Sequence, residues 1–215
     1  MASDLENASL RLKNSADALR AQADALVQVA EELQALVESA PDWRFPVGTE
    51  EFPPEAWYVA VWHDLTGAKN SGYKHSGIDI NLDRWPWGDV ERGAPVFAVA
   101  DGVVRAKGSS SGWLGVVVLE MAHRGLQLQV RYAHLDPASI GVRVGDVVTP
   151  GQELGQLGDW RGGDGGDHLH FDMAWSYFGW DWWLTPKVDW LDPLPVLREH
   201  LGESGVAMMC GKGDG

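Results

Sequence analysis

Three short patterns in this chain carry side chains suited to hydrolytic metal chemistry: His75-Ser-Gly-Ile-Asp79, Tyr132-Ala-His134-Leu135 and His168-Leu-His170-Phe-Asp172. In an extended strand, side chains two or four positions apart share a face. His75 is therefore expected to point with Asp79, and His168 with His170. Ile78 and Ile80 in one segment, and Leu169, Phe171 and Met173 in the other, then take the core-facing side. Zinc accepts imidazole nitrogen and carboxylate oxygen in tetrahedral geometry, and a catalytic zinc keeps one position for water. Any three ligands from this set would satisfy that. A lone His-x-x-x-Asp pair is more often simply hydrogen-bonded, but two imidazoles on one face of an otherwise apolar strand require a polar reason. It is the joint occurrence of the patterns that points to a metal site.

The elements that must hold these side chains are short strands. From Phe45 onward Gly, Pro, Val and Trp rise, and alternating runs separated by turn residues appear. Val96 to Ala100 and Val103 to Ala106 read as strands about an Asp101-Gly102 turn, and Leu114 to Met121 as a buried strand. Leu126, Leu128, Val130, Tyr132 and His134 share one face of a further strand, with Gln127, Gln129 and Arg131 on the other, so His134 is expected on the apolar side. Val142 to Val148 and Gln152 to Leu157 flank a Pro150-Gly151 turn. The fold class is mainly β, an antiparallel sheet domain over 41–198, followed by a flexible tail over 199–215.

A different texture precedes it. Residues 4 to 39 contain no Gly or Pro, and Leu5, Leu12, Leu19, Leu26 and Leu33 recur every seven positions. Residues 1–40 thus read as a long amphipathic helix that Pro41 ends. Its narrow seam suits either a coiled-coil homodimer or a helix lying on its own catalytic domain.

At this point the sequence resembles the LytM and lysostaphin-like zinc metallopeptidases, which act as peptidoglycan endopeptidases. The likeness runs from about Pro46 to Pro193. It is carried by the Gly72 to Ile80 segment, Gly93-Ala-Pro-Val96, Ala100-Asp-Gly-Val103, Tyr132-Ala-His-Leu135, Val142-Arg-Val-Gly-Asp-Val147, Pro150-Gly-Gln152 and His168-Leu-His-Phe171. The resemblance implies a LytM-like peptidase domain in which His75, Asp79 and His170 hold zinc and His134 and His168 are catalytic without being ligands. It implies metal-assisted hydrolysis of a peptide bond in bacterial cell-wall cross-links or stems. Non-catalytic LytM-like scaffolds, which regulate another wall hydrolase, are the alternative, but they typically lack part of the metal set.

Where the family often has Glu after the His-x-His-Phe segment, this chain has Asp172, read as a solvated or strand-end carboxylate that could reach an imidazole. The Asp159 to Asp167 loop departs from the family and reads as a flexible groove edge. Two aromatic-rich stretches look like insertions: Asp83 to Arg92 with Trp85 and Trp87, and Ala174 to Lys187 with Trp175, Tyr177, Phe178, Trp180, Trp182 and Trp183. Tyr73, Trp113, Trp85 and Trp87 are candidates for substrate contact, since aromatic faces suit stacking on sugars; the competing role is packing. Packing is expected for Trp43, Trp57, Trp62 and Trp190. His63, His123 and His200 read as ordinary hydrogen-bonded histidines.

The whole chain narrows the function classes further. With 215 residues, 45% hydrophobic and 22% charged, it fits a globular protein. A net charge of -14 argues against binding nucleic acid, which requires Lys and Arg to displace counterions. No apolar run approaches a membrane span. Cys210 is the single cysteine, so neither an intrachain disulfide nor a cysteine metal cluster is expected. The first residues carry no recognisable signal peptide. A wall-degrading enzyme of this kind is therefore expected to act after lysis-type release, as a virus-encoded lysin does, or as part of a virus particle.

Overall fold

The computed structural model describes residues 11, 13–29, 43–50, 53–70, 72–82, 91–160, 166–182, 184 and 186–207, with backbone alone at 55 and 203–207. The chain divides into two compact units at Pro41/Asp42. In the first unit α1 occupies 13–29, with Leu19 and Leu26 exposed on it. Apart from Arg11, the rest of the helix expected over 1–40 lies outside the described residues, as do Trp85, Trp87 and Trp183.

The second unit is an antiparallel sheet domain. Its strands are β1 (Trp57–Val61), β2 (Ile78–Leu82), β3 (Pro95–Phe97), β4 (Gly102–Ser110), β5 (Leu114–His123), β6 (Leu126–Leu135), β7 (Val147–Val148), β8 (Glu153–Gln156), β9 (Leu169–Ala174) and β10 (Trp190–Leu191), closed by α2 (Pro193–Ala207). The main sheet runs β1-β2-β9-β6-β5-β4-β7, with β10 also paired to β9, and β3 and β8 form a separate ribbon. Arg124 (φ 52°) and Gly125 (φ 74°) make the two-residue turn between β5 and β6, the doubly positive geometry that matches strand twist.

The strand expected over Val96 to Ala100 ends at Phe97, because Ala98 leaves the ladder and pairs its backbone with Gln152 and Gly151. Of Val142 to Val148 only the last two residues pair as strand. Arg143 and Asp146 close a turn instead, in which the Asp146 carboxylate accepts the Arg143 amide at 2.8 Å.

One face of the sheet carries the main core, where Ile78, Ile80, Leu128, Val130, Tyr132, Leu169, Phe171 and Met173 are buried and meet Trp43, Trp57 and the α2 residues Leu194 and Leu197. The opposite face holds a smaller core in which Val116, Val118, Ala133 and Ala174 are covered by Phe178, Val188 and Trp190. The aromatic segment after β9 therefore packs over the sheet with most of its apolar side chains, leaving Tyr177 and Trp182 exposed. α2, broken at Gly202 (φ 76°), carries into the stretch expected as a tail from 199.

Candidate active site

β2, β9 and β6 are adjacent, and their register lines up the site. Asp79 pairs with His170, and His170 with Ala133, so these residues share the face away from the main core. His75 reaches the same point from outside the strand. It precedes β2 in a bend, held by a two-way backbone bridge in which Asp64 and His75 exchange amides at 2.9 and 2.8 Å. Common strand membership thus does not explain the meeting of His75 and Asp79; the bridge and the Ser76-Gly77 bend do.

Gly77 is required there. A Cβ on it would stand 2.1 Å from the Phe171 carbonyl oxygen of β9. Asp64, which the sequence did not single out, builds the preceding loop. Its carboxylate is buried and accepts the amides of Thr66 (2.9 Å), Gly67 (2.8 Å), Lys69 (2.5 Å) and Asn70 (3.2 Å), together with the Thr66 hydroxyl (2.7 Å). Burial raises its pKa, but these hydrogen bonds outweigh that and hold it well below the usual carboxylate range.

His75 Nε2, Asp79 Oδ1 and His170 Nδ1 form a triangle with sides of 2.9, 2.9 and 3.0 Å. The other nitrogen of each imidazole is occupied. His75 Nδ1 donates to the Trp62 carbonyl at 3.3 Å, and His170 Nε2 donates to Asp172 Oδ2 at 2.8 Å, since a carboxylate only accepts. With both imidazoles neutral the triangle is a meeting of three lone pairs, which repel unless a cation lies among them, either a proton on His170 Nδ1 or a metal ion. Tetrahedral ligands about 2.0–2.1 Å from zinc stand roughly 3.3 Å apart, close to this spacing, so the donor set fits such an ion. Burial alone would raise the Asp79 carboxyl. The bonded imidazoles of His170 and His75 reverse this and keep it low. For His170, burial is outweighed by Asp172 and Asp79, which push its pKa up.

His134 corrects the strand-parity expectation. Between the pairs Val117–Tyr132 and Gly115–Leu135, β6 holds one residue more than β5, and His134 sits in this bulge at φ 66°. The bulge swings the imidazole off the apolar face and returns Leu135 to the main core beside Tyr132. Histidine tolerates this left-handed conformation better than most residues. The His134 ring lies 4.7 Å from that of His168. His168 donates Nδ1 to the Gly166 carbonyl at 2.9 Å, leaving Nε2 3.6 Å from Asp79 Oδ1. Burial lowers the pKa of both, with neighbouring His168 and His170 adding to the effect at His134, so both are neutral near pH 7.

A cleft of about 270 Å³ gathers all five residues with Tyr73, Gly112, Trp113 and Trp160. Tyr73 and Trp113, picked out from the sequence, line it. Trp160 was missed; its ring stands 4.7 Å from His134 and 4.8 Å from His168. Asp167 accepts the Trp160 amide at 2.6 Å and Arg92 Nε at 2.9 Å, which fixes this end of the groove. Asp172 is another correction. It is fully buried, gripped by His170 and by Arg131 Nε at 2.6 Å, rather than solvated.

His123, His200 and Glu199 form a second group, between β5 and α2. His200 Nε2 lies 3.0 Å from His123 Nδ1, the His200 ring stacks on Trp43, and Arg124 engages Glu199 through both carboxylate oxygens. The guanidinium already neutralises the one carboxylate there, so the group reads as a packing contact, in keeping with the sequence expectation.

Residues 73–179 match peptidase family M23. The L-Ala--D-Glu endopeptidase of Bacillus subtilis is 28% identical over 151 residues, covering 66% of this chain and 39% of that protein. The chain therefore spans about two fifths of that relative's length. The antimicrobial peptidase lysostaphin from Staphylococcus simulans aligns with a TM-score of 0.52 at 23% identity, over 80% of this chain and 58% of that one, a likeness of fold. The β domain of this chain therefore belongs to peptidase family M23, and its fold is like that of lysostaphin.

Proposed function

We propose that the protein is a zinc-dependent endopeptidase that cleaves peptide bonds in the cross-links or stems of bacterial peptidoglycan. The observation that carries this reading is the triangle of three lone-pair atoms, His75 Nε2, Asp79 Oδ1 and His170 Nδ1, beside two neutral histidines in one cleft. Zinc bound there would polarise the scissile carbonyl and make a water nucleophilic near neutral pH. His168, with Nδ1 donating to the Gly166 carbonyl, presents Nε2 as a base toward that water. His134, neutral and on the other wall, would relay the proton taken up by His168 to the leaving amine, and its N–H would steady charge on the carbonyl oxygen. Trp113 and Trp160 flank this pair, while exposed Tyr73 offers a hydroxyl at the rim.

The test joins metal analysis to substrate. Purified protein should carry about one zinc per chain, lose activity on chelation, and release fragments from sacculi whose new termini mass spectrometry identifies. Full lysis by chelated, zinc-free protein would overturn the proposal. The regulatory-scaffold alternative gains no support from a site with every expected side chain in place. Exposed Leu19 and Leu26 support pairing of α1 with a second copy, which sedimentation of the full chain tests.

A further inference from the structure

Arg131 is not a corner of the triangle, yet it is fully buried close behind it. On β6 it lies opposite Asp172 of β9. Its Nε and Nη2 approach Asp172 Oδ2 at 2.6 and 2.5 Å, and Nη1 donates to the Trp182 carbonyl at 2.5 Å. The face of the guanidinium lies 4.1 Å from the centroid of the Trp113 ring, a wall of the cleft. The carboxylate oxygen it grips is the one that accepts His170 Nε2–H at 2.8 Å.

We propose that Arg131 is a positioning residue for the metal. By holding Asp172 against His170 Nε2 it fixes the tautomer and ring plane that turn Nδ1 toward Asp79 and His75, and it anchors this arrangement to the turn at 180–182. An imidazole without such a partner could turn about its side-chain torsions or carry its proton on the other nitrogen, and either would remove the lone pair from the triangle. Outer carboxylates that orient a metal-binding histidine in this way change metal affinity without touching the ion. The Arg131 contacts use the planar fork in three directions at once: the carboxylate, a main-chain carbonyl and an aromatic face. A lysine ammonium supplies charge but not that geometry. The aromatic segment after β9 thereby becomes part of the support for His170, because the same guanidinium that seats Asp172 also caps the Trp182 carbonyl.

This inference rests on the proposal that His170 binds zinc, and the experiment separates the two. Zinc affinity is measured by chelator competition on the metal-stripped full chain for the wild type, Arg131→Lys, Asp172→Asn and the double variant, with circular dichroism as the check on folding. Arg131→Lys and Asp172→Asn should each weaken zinc binding by about 10–100-fold. The double variant should be no weaker than the worse single one, because both act through one contact. Amide exchange at 180–182 should slow on zinc addition in the wild type and not in Arg131→Lys. If Arg131→Lys does not fold, the paired Arg131→Met/Asp172→Asn removes both charges together and should show the same affinity loss. Wild-type affinity in the folded variants, or losses that simply add, overturns the role of Arg131 while zinc binding stands. A wild-type chain that takes up no zinc sinks the proposed function, and this inference with it.

Discussion

His134 donates its backbone amide to the Trp113 carbonyl at 3.0 Å while the two rings lie stacked, 20° apart in plane, with centroids 6.0 Å apart. The bulged residue is thus pinned by main chain on one side and by an aromatic face on the other. The site depends on such local irregularities as much as on the regular ladder that carries Asp79 and His170.

Replacing His134 with Ala should cut peptidoglycan hydrolysis by about 10²–10⁴-fold, the range for loss of a general acid or base. Zinc content should stay at the wild-type level, since His134 lies outside the triangle. Loss of zinc in that variant would contradict the separation of ligand and non-ligand roles.

The pKa of both His134 and His168 is lowered, by burial first, from an ordinary value of 6.5. Their neutral forms, which the proposed chemistry requires, therefore persist below pH 6.5. The acid limb of kcat/KM should fall below that value, read from a pH–rate profile in which zinc content is followed in parallel. For stability the sign is the same. The unfolded chain protonates these rings first, so their contribution is full above pH 6.5 and is lost as pH falls toward the folded-state values. A limb at or above pH 6.5 with zinc retained would count against neutral, buried histidines.

How much of this was legible in the sequence follows from where the backbone is regular. Strand parity brought His168 and His170 together and put Ile78, Ile80 and Phe171 in the core, as the ladder does. It gave the wrong reason for His75, which stands before the strand in a bend, and the wrong face for His134, because one extra residue in β6 inverts the alternation. The same parity puts Arg131 and Gln129 on the strand face opposite the apolar one, with nothing to say what covers it. Both are buried, Arg131 completely, because a segment 40 and more residues later folds back over that face of the sheet. Nothing local announces such a covering. The available signal was the excess of aromatic residues between 174 and 190, which needed an apolar surface to lie on.

Gly77→Ala should destabilise the metal-free domain by about 1–3 kcal/mol, in the manner of an overpacked core, because its Cβ would be driven onto β9 backbone at 2.1 Å. Chemical denaturation measures this. Zinc affinity should fall as well, since the bend that presents His75 must open to admit the methyl group. A fully stable, fully metallated Ala variant would remove the close approach from the account of the site.

Trp160→Ala should act on substrate more than on metal. Its ring covers the edges of His134 and His168, and an aromatic contact of this kind contributes about 0.5–1.5 kcal/mol, equivalent to roughly 2–10-fold in KM. Kinetics on a soluble muropeptide substrate would resolve the effect. A change confined to zinc affinity would place Trp160 among the supports of the metal rather than on the substrate groove.

The left-handed backbone at residue 134 costs energy that glycine would not incur, on the order of 1 kcal/mol. Screening this protein for heat resistance alone would therefore reward His134→Gly, a change that the proposed chemistry does not tolerate. Any search for a hardier version has to select on turnover at this position from the first round.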